Sequence, residues 1–129
     1  MDITPYLHLL RDKNGSDLFF TVGAPVKIKI EGSINSVGKT QLTGELTKAA
    51  AYGVMNNRQI QIFEDTMECD FAIALPDKSA RFRVNVFRQR GEVGMVLRRI
   101  PAEIPDIASL GLPEILSELV MAKRGLVLM

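Results

Sequence analysis

Six arginines crowd into the stretch from Ala80 to Pro101, ARFRVNVFRQRGEVGMVLRRIP. Arg81, Arg83, Arg88, Arg90, Arg98 and Arg99 are six of the chain's nine, with only Glu92 against them and no lysine among them. The stretch therefore carries +5, while the rest of the chain carries −4 of a net +1. Arginine without lysine points to planar, forked recognition of a carboxylate or phosphate, because lysine would serve equally well for solubility. Phe82, Val84 and Val86 alternate with Arg81, Arg83 and Asn85, the period of a strand with one buried face. After Gly91, Val93, Met95 and Leu97 resume the alternation, so the stretch is predicted to be a β-hairpin turning at Arg90-Gly91. Setting Val84 across from Leu97 and Val86 across from Met95 fills one face and puts Arg83 directly across from Arg98. Like charges opposite one another destabilise a sheet by about 0.2–1 kcal/mol. Either a solvated edge tolerates that cost or an anion removes it.

The elements around the hairpin follow from similar patterns. Thr4-Pro5 reads as the cap and first position of a helix carrying Ile3, Leu7 and Leu10, stopped at Asn14-Gly15. Ser16 to Val22, Val26 to Ile30 and Ser33 to Val37 read as three short strands of a meander. Thr43 caps a helix to about Met55 with Leu46, Ala49, Ala50 and Val54 inward, and a shorter helix from about Arg58 to Glu64 buries Ile60 and Phe63. Cys69, Phe71, Ile73 and Leu75 alternate as a further strand. If Leu75 pairs with Ala80, then Ile73 faces Phe82 and Phe71 faces Val84. Ala72 and Ala74 then lie beside Arg83 and Arg81, leaving room next to those guanidiniums. The expected architecture is α+β, with an antiparallel sheet of about six strands and packed helices.

Other chemistry is weaker in this sequence. Gly38-Lys39-Thr40 imitates the end of a phosphate-binding loop, but Ser33 stands where that loop needs its first glycine, and the segment follows a hairpin. Glu64, Asp65, Glu68 and Asp70 lack the carboxylate and glycine spacing of a calcium loop and read as a solvated face able to partner the arginines. His8 has no ligand partner at metal spacing. One cysteine, Cys69, leaves no internal disulfide framework and suits a reducing compartment. With 129 residues and 47% apolar composition, one domain with a real core is expected, and no apolar run approaches membrane-spanning length. From Pro101 to Pro113 the composition is that of a linker. Pro113 then opens a helix with Ile115, Leu116, Leu119 and Val120 inward. Leu126-Val127-Leu128-Met129 reads as a strand buried on both faces, which implies covering residues supplied after Met129 or elsewhere.

Three segments, GSDLFFTVGAPVKIKIEG, ARFRVNVFRQRGEVGMVLRRIP and LGLPEILSELVMAKRGLVLM, together resemble the amino-terminal portion of the type IV pilus retraction ATPases, the PilT/PilU family. The FRQRGEVGM variant is more similar to the PilU branch. The resemblance implies a PAS-like domain over residues 1–100, a linker over 101–112, and the start of a RecA-like ATPase domain over 113–129, ending before the Walker A loop. It implies a hexameric ring in the parent protein, with ATP and Mg2+ as its cofactors and none for the isolated piece, which would not be an enzyme alone. Arg83 and Arg98 match arginines that reach the ATP phosphates in that family, and Arg81 lies beside them in its RFRVN pattern. Arg88, Arg90 and Arg99 fall to the ring interface or the surface. Implied partners are a related retraction ATPase and the pilus inner-membrane platform, with no nucleic acid, at a cytoplasmic site peripheral to the inner membrane. The contrasting readings are a PAS-like ligand sensor and a nucleic-acid binder using the arginine strip.

Overall fold

The computed structural model describes residues 1–128. Helix α1 (Thr4–Asp12) precedes strands β1 (Asp17–Phe20), β2 (Val26–Ile30) and β3 (Ser33–Val37). Helices α2 (Gly44–Val54) and α3 (Asn57–Thr66) lead to β4 (Glu68–Ala74), β5 (Arg81–Gln89) and β6 (Glu92–Ile100), and a short α4 (Ile115–Leu119) follows. The six strands make one sheet in the order β3-β2-β1-β6-β5-β4, antiparallel throughout. It is built from two local meanders, β1-β2-β3 and β4-β5-β6, joined along β1 and β6.

The apolar alternation selects the registers that the sequence predicts. Val84 lies opposite Leu97 and Val86 opposite Met95, while Phe82 faces Ile73 and Val84 faces Phe71. A one-residue slip would bring the arginines into the core, so the buried set fixes the pairing. Arg90 and Gly91 both take positive φ (53° and 79°) between the closing pair Gln89 and Glu92. That two-residue turn matches the strand twist, and glycine reaches its conformation at no steric cost.

Leu18, Phe20, Val26, Ile28, Phe82, Val84, Val86, Met95 and Leu97 cover one face of the sheet and meet Leu7 and Leu10 of α1, Ala50 and Ala51 of α2 and Phe63 of α3. Thr43 caps α2 by accepting from the Leu46 amide at 3.3 Å. Asn56 and Gln59 form a reciprocal capping box at the start of α3, with both bonds at 2.9 Å. Phe63 is fully buried, edge-on to Tyr52 and beneath the Arg88 guanidinium at 5.5 Å.

Several sequence expectations are corrected. Thr4 does not cap α1; its own amide donates to the Asp2 carboxylate at 2.9 Å, and Ile3 stands at the cap position. On α2 the fully buried positions are Thr47, Ala50 and Ala51, whereas Ala49 is exposed, because the helix turns its small residues toward the sheet for close approach. Ile115, Leu119 and Val120 are not inward but exposed, and Leu116 is half-buried, since the core is already closed by α1, α2 and α3. No strand forms over residues 125–128; Met129 lies outside the described residues.

Phe63→Ala removes the aromatic that seats α3 on the core and is expected to cost about 3–5 kcal/mol of stability. Urea unfolding of the variant chain measures it, and a loss below about 1 kcal/mol would mean that α3 contributes little to the core.

Candidate anion site on the open sheet face

The strand period places Arg81, Arg83, Asn85 and Phe87 of β5 on the face away from the helices, together with Gly94, Val96 and Arg98 of β6. Phe87 lies over Gly94, where an added Cβ would come within 2.7 Å of the ring. One cross-strand row on this face runs Lys29, Asp17, Arg98, Arg83, Ala72, from β2 to β4. Arg83 and Arg98 are therefore direct neighbours on the same side of the sheet, with side chains 70% and 73% exposed. They border a shallow depression of about 220 Å³ whose other walls are Asp17, Asp70, Asn85 and Val96.

Each guanidinium has a carboxylate on its far side. The Arg98 Nε donates to Asp17 Oδ1 at 3.0 Å, and Asp17 is only 4% exposed. A buried carboxylate is costly unless a charge-assisted hydrogen bond compensates it, so Asp17 holds Arg98 firmly. Arg83 is held loosely, with its Nε 4.0 Å from Asp70 Oδ1 across two exposed side chains. Pairs of that kind contribute about 0–1 kcal/mol. Asp70 is itself steadied by Asn85, whose Nδ2 donates to Asp70 at 3.2 Å and to Glu68 at 3.0 Å. Of the acidic cluster that the sequence offers as arginine partners, only Asp70 approaches one among the described residues; Glu68, Glu64 and Asp65 accept instead from Asn85, Tyr52 and Gln61. Asp17 is the residue of this depression that sequence reasoning misses, because the β1–β6 pairing joins residues 81 positions apart. Its only signal is an acidic residue opening an otherwise apolar strand.

The other arginines are not gathered at the depression. Arg81 shares the face but stands one pair further along, between Ala74 and Ile100 and outside the depression's lining. Arg99 points to the helix side, opposite Phe82, where its Nε donates to the Gly15 carbonyl at 3.1 Å and a terminal nitrogen donates to Asn14. It ties β6 to the loop after α1. Arg88 stacks on Phe63, and Arg90 occupies the hairpin turn. Arg11 reaches Ser79 Oγ at 2.7 Å and Asp77 at 3.4 Å in the β4–β5 turn. Hydrogen bonds from Ser79, then the nearby Arg11 charge, hold the Asp77 carboxyl below the usual carboxylate range. Burial, then the Asp70 charge, pushes the Cys69 thiol up, so it rests protonated in the core. Among the described residues no three His, Cys, Asp or Glu side chains cluster as metal ligands, and no helix is long and apolar enough to cross a membrane. No helix starts after Gly38-Lys39-Thr40 until Gly44, which agrees with rejecting that segment as a phosphate loop.

No protein-family model matches the chain. Over 128 residues it is 47% identical to the type IV pilus ATPase PilU of Pseudomonas aeruginosa, a match covering 99% of this chain and 33% of that protein. It is 35% identical over 128 residues to the type IV pilus retraction ATPase PilT of the same organism, covering 99% of this chain and 37% of that one. The crystal structure of the pilus retraction motor PilT with bound ADP superimposes with a TM-score of 0.78 at 35% identity, over 92% of this chain and 35% of that chain. The chain spans about a third of the length of the curated relatives it matches. It belongs to the PilT/PilU family of type IV pilus ATPases and matches the amino-terminal portion of that family.

Proposed function

We propose that this chain is the regulatory and assembly portion of a hexameric motor that retracts type IV pili, in which Arg83 and Arg98 reach the phosphates of ATP held by a RecA-like ATPase domain. The observation that carries the reading is the pair itself. Two largely exposed guanidiniums stand side by side on a rigid sheet, one anchored and one loosely held, beside an open depression. A phosphate between them relieves their mutual repulsion and receives forked donors from both. Arg81, one pair further on, extends the same positive edge toward a larger ligand. The bound ADP of the related PilT motor supports a nucleotide as the anion.

In this reading residues 1–100 are a PAS-like domain, residues 101–112 a linker, and residues 113–129 the beginning of the ATPase domain. Leu126 and Leu128 are both 83% exposed, which fits a segment covered by the remainder of such a domain. Walker motifs and Mg2+ would belong to that remainder, and this portion supplies positioned charge and subunit contacts. Its partners would be neighbouring subunits, a related retraction ATPase and the pilus platform at the inner membrane, approached from the cytoplasm.

Residues 1–100 alone should keep the fold, because residues 101–128 add nothing to the buried core. Their melting temperature is expected within about 4 °C of the full chain, the shift that about 1 kcal/mol produces in a domain of this size. A larger fall would place the boundary elsewhere. In the full-length protein, Arg83→Ala and Arg98→Lys should each lower ATP turnover, by about 10³-fold or more if they act as arginine fingers do elsewhere. Normal turnover in both would remove the phosphate role. Lysine is the better probe at position 98 because Arg98→Ala strands the buried Asp17. That variant is expected to cost about 1–3 kcal/mol in urea unfolding, against less than about 0.5 kcal/mol for Arg83→Ala.

A further inference from the structure

We propose that Asp17 is a positioning residue for Arg98, and that Asp70 is a resident counter-ion which an incoming phosphate displaces from Arg83; the inference rests on the phosphate reading above. The two carboxylates flank the same arginine pair but differ in burial and grip. Asp17 is 4% exposed and accepts from Arg98 Nε at 3.0 Å. Because that bond uses Nε, the two terminal nitrogens are left as a free fork, and among the described residues neither has a hydrogen-bond partner. Lys29 is the cross-strand neighbour of Asp17 on the other side, but among the described residues only Arg98 pairs with its carboxylate. Asp70 is exposed, and its contact with Arg83 is 4.0 Å, too long for a hydrogen bond. It is anchored through Asn85 rather than through the arginine. One carboxylate therefore fixes the direction of a guanidinium, and the other only neutralises its neighbour until a stronger anion arrives.

Simple electrostatics and positioning make opposite statements about Asp17. Removing any negative charge from this face should tighten anion binding, by about fivefold for a charge some 4 Å away in water. Positioning requires Asp17→Asn to weaken it despite the lost charge, while Asp70→Asn follows electrostatics and strengthens it.

The test uses the 129-residue chain labelled with nitrogen-15, and inorganic triphosphate at low ionic strength as the probe. Without ligand, the Arg98 Nε–H signal should exchange with water at least about tenfold more slowly than that of Arg83, a difference lost in Asp17→Asn. Equal exchange in the unaltered chain overturns the positioning role, and this readout depends on neither a variant nor a ligand. With triphosphate, the expected order of affinity is Asp70→Asn, then the unaltered chain, then Asp17→Asn. Asp17→Glu, which keeps the charge but shifts the guanidinium, should fall with Asp17→Asn. Tighter or equal binding by Asp17→Asn overturns the proposal. If the unaltered chain and an Arg83→Ala/Arg98→Ala double variant bind triphosphate alike, the phosphate reading fails on its own, and the Nε–H exchange still decides Asp17.

Discussion

A carboxylate shut away from water at the start of β1 needs a cation, and Arg98 on β6 provides it. This bond sits on the seam where the two meanders join, so it records the one long-range decision in the sheet. Each meander can form from neighbours in sequence, but neither closes a core alone. Pairing β1 with β6 sets Leu18 beside Leu97 and Phe20 beside Met95, which makes the helix-facing side continuous. The same register sets Asp17 beside Arg98 on the other side. Core closure and arginine placement therefore follow from a single pairing, and a shift of one residue would lose both.

The seam also explains how the sheet carries two arginines opposite each other. The repulsion between Arg83 and Arg98 is not removed by separation, since they occupy paired positions. It is offset by a carboxylate on each flank. The two compensations are unequal because a 3.0 Å charge-assisted bond to a buried carboxylate is less screened than an exposed ion pair at 4.0 Å. The face is left electrostatically satisfied on the β1 side and underfilled on the β4 side.

Much of this was legible in the residue pattern, and the exceptions share a cause. The hairpin, its turn and the β4 register are set by local alternation and by Arg90-Gly91, so the Arg83–Arg98 pairing could be read without coordinates. Arg99 could also have been placed, because adjacent strand residues face opposite ways, and its neighbour Arg98 already takes the outer side. Asp17 could not, because alternation describes which face a strand buries but not which strand lies beside it. Ala49 is exposed against expectation because a helix so rich in alanine has a weak apolar stripe, and Thr47 turns inward instead, donating its hydroxyl to the Gly44 carbonyl at 3.1 Å. The apolar spacing after Pro113 marks a face that suits burial, but spacing carries no information on what covers it.

The pattern of charge on the open face also bears on the kind of anion it favours. A surface for extended single-stranded nucleic acid combines a continuous basic track with exposed aromatic platforms. Here carboxylates interrupt the track, with Asp17 between Lys29 and Arg98, and with Glu68 and Asp70 along β4 beside Asn85. Of the aromatics, Phe82 is fully buried, Phe87 is committed to covering Gly94, and Phe19 is half-buried opposite Val96. A polyanion laid across this face would meet a negative group within a strand or two of every cation. A compact anion seated between Arg83 and Arg98 would meet only the loosely held Asp70 as a competitor, since Asp17 engages Arg98 through Nε and leaves its terminal nitrogens facing outward.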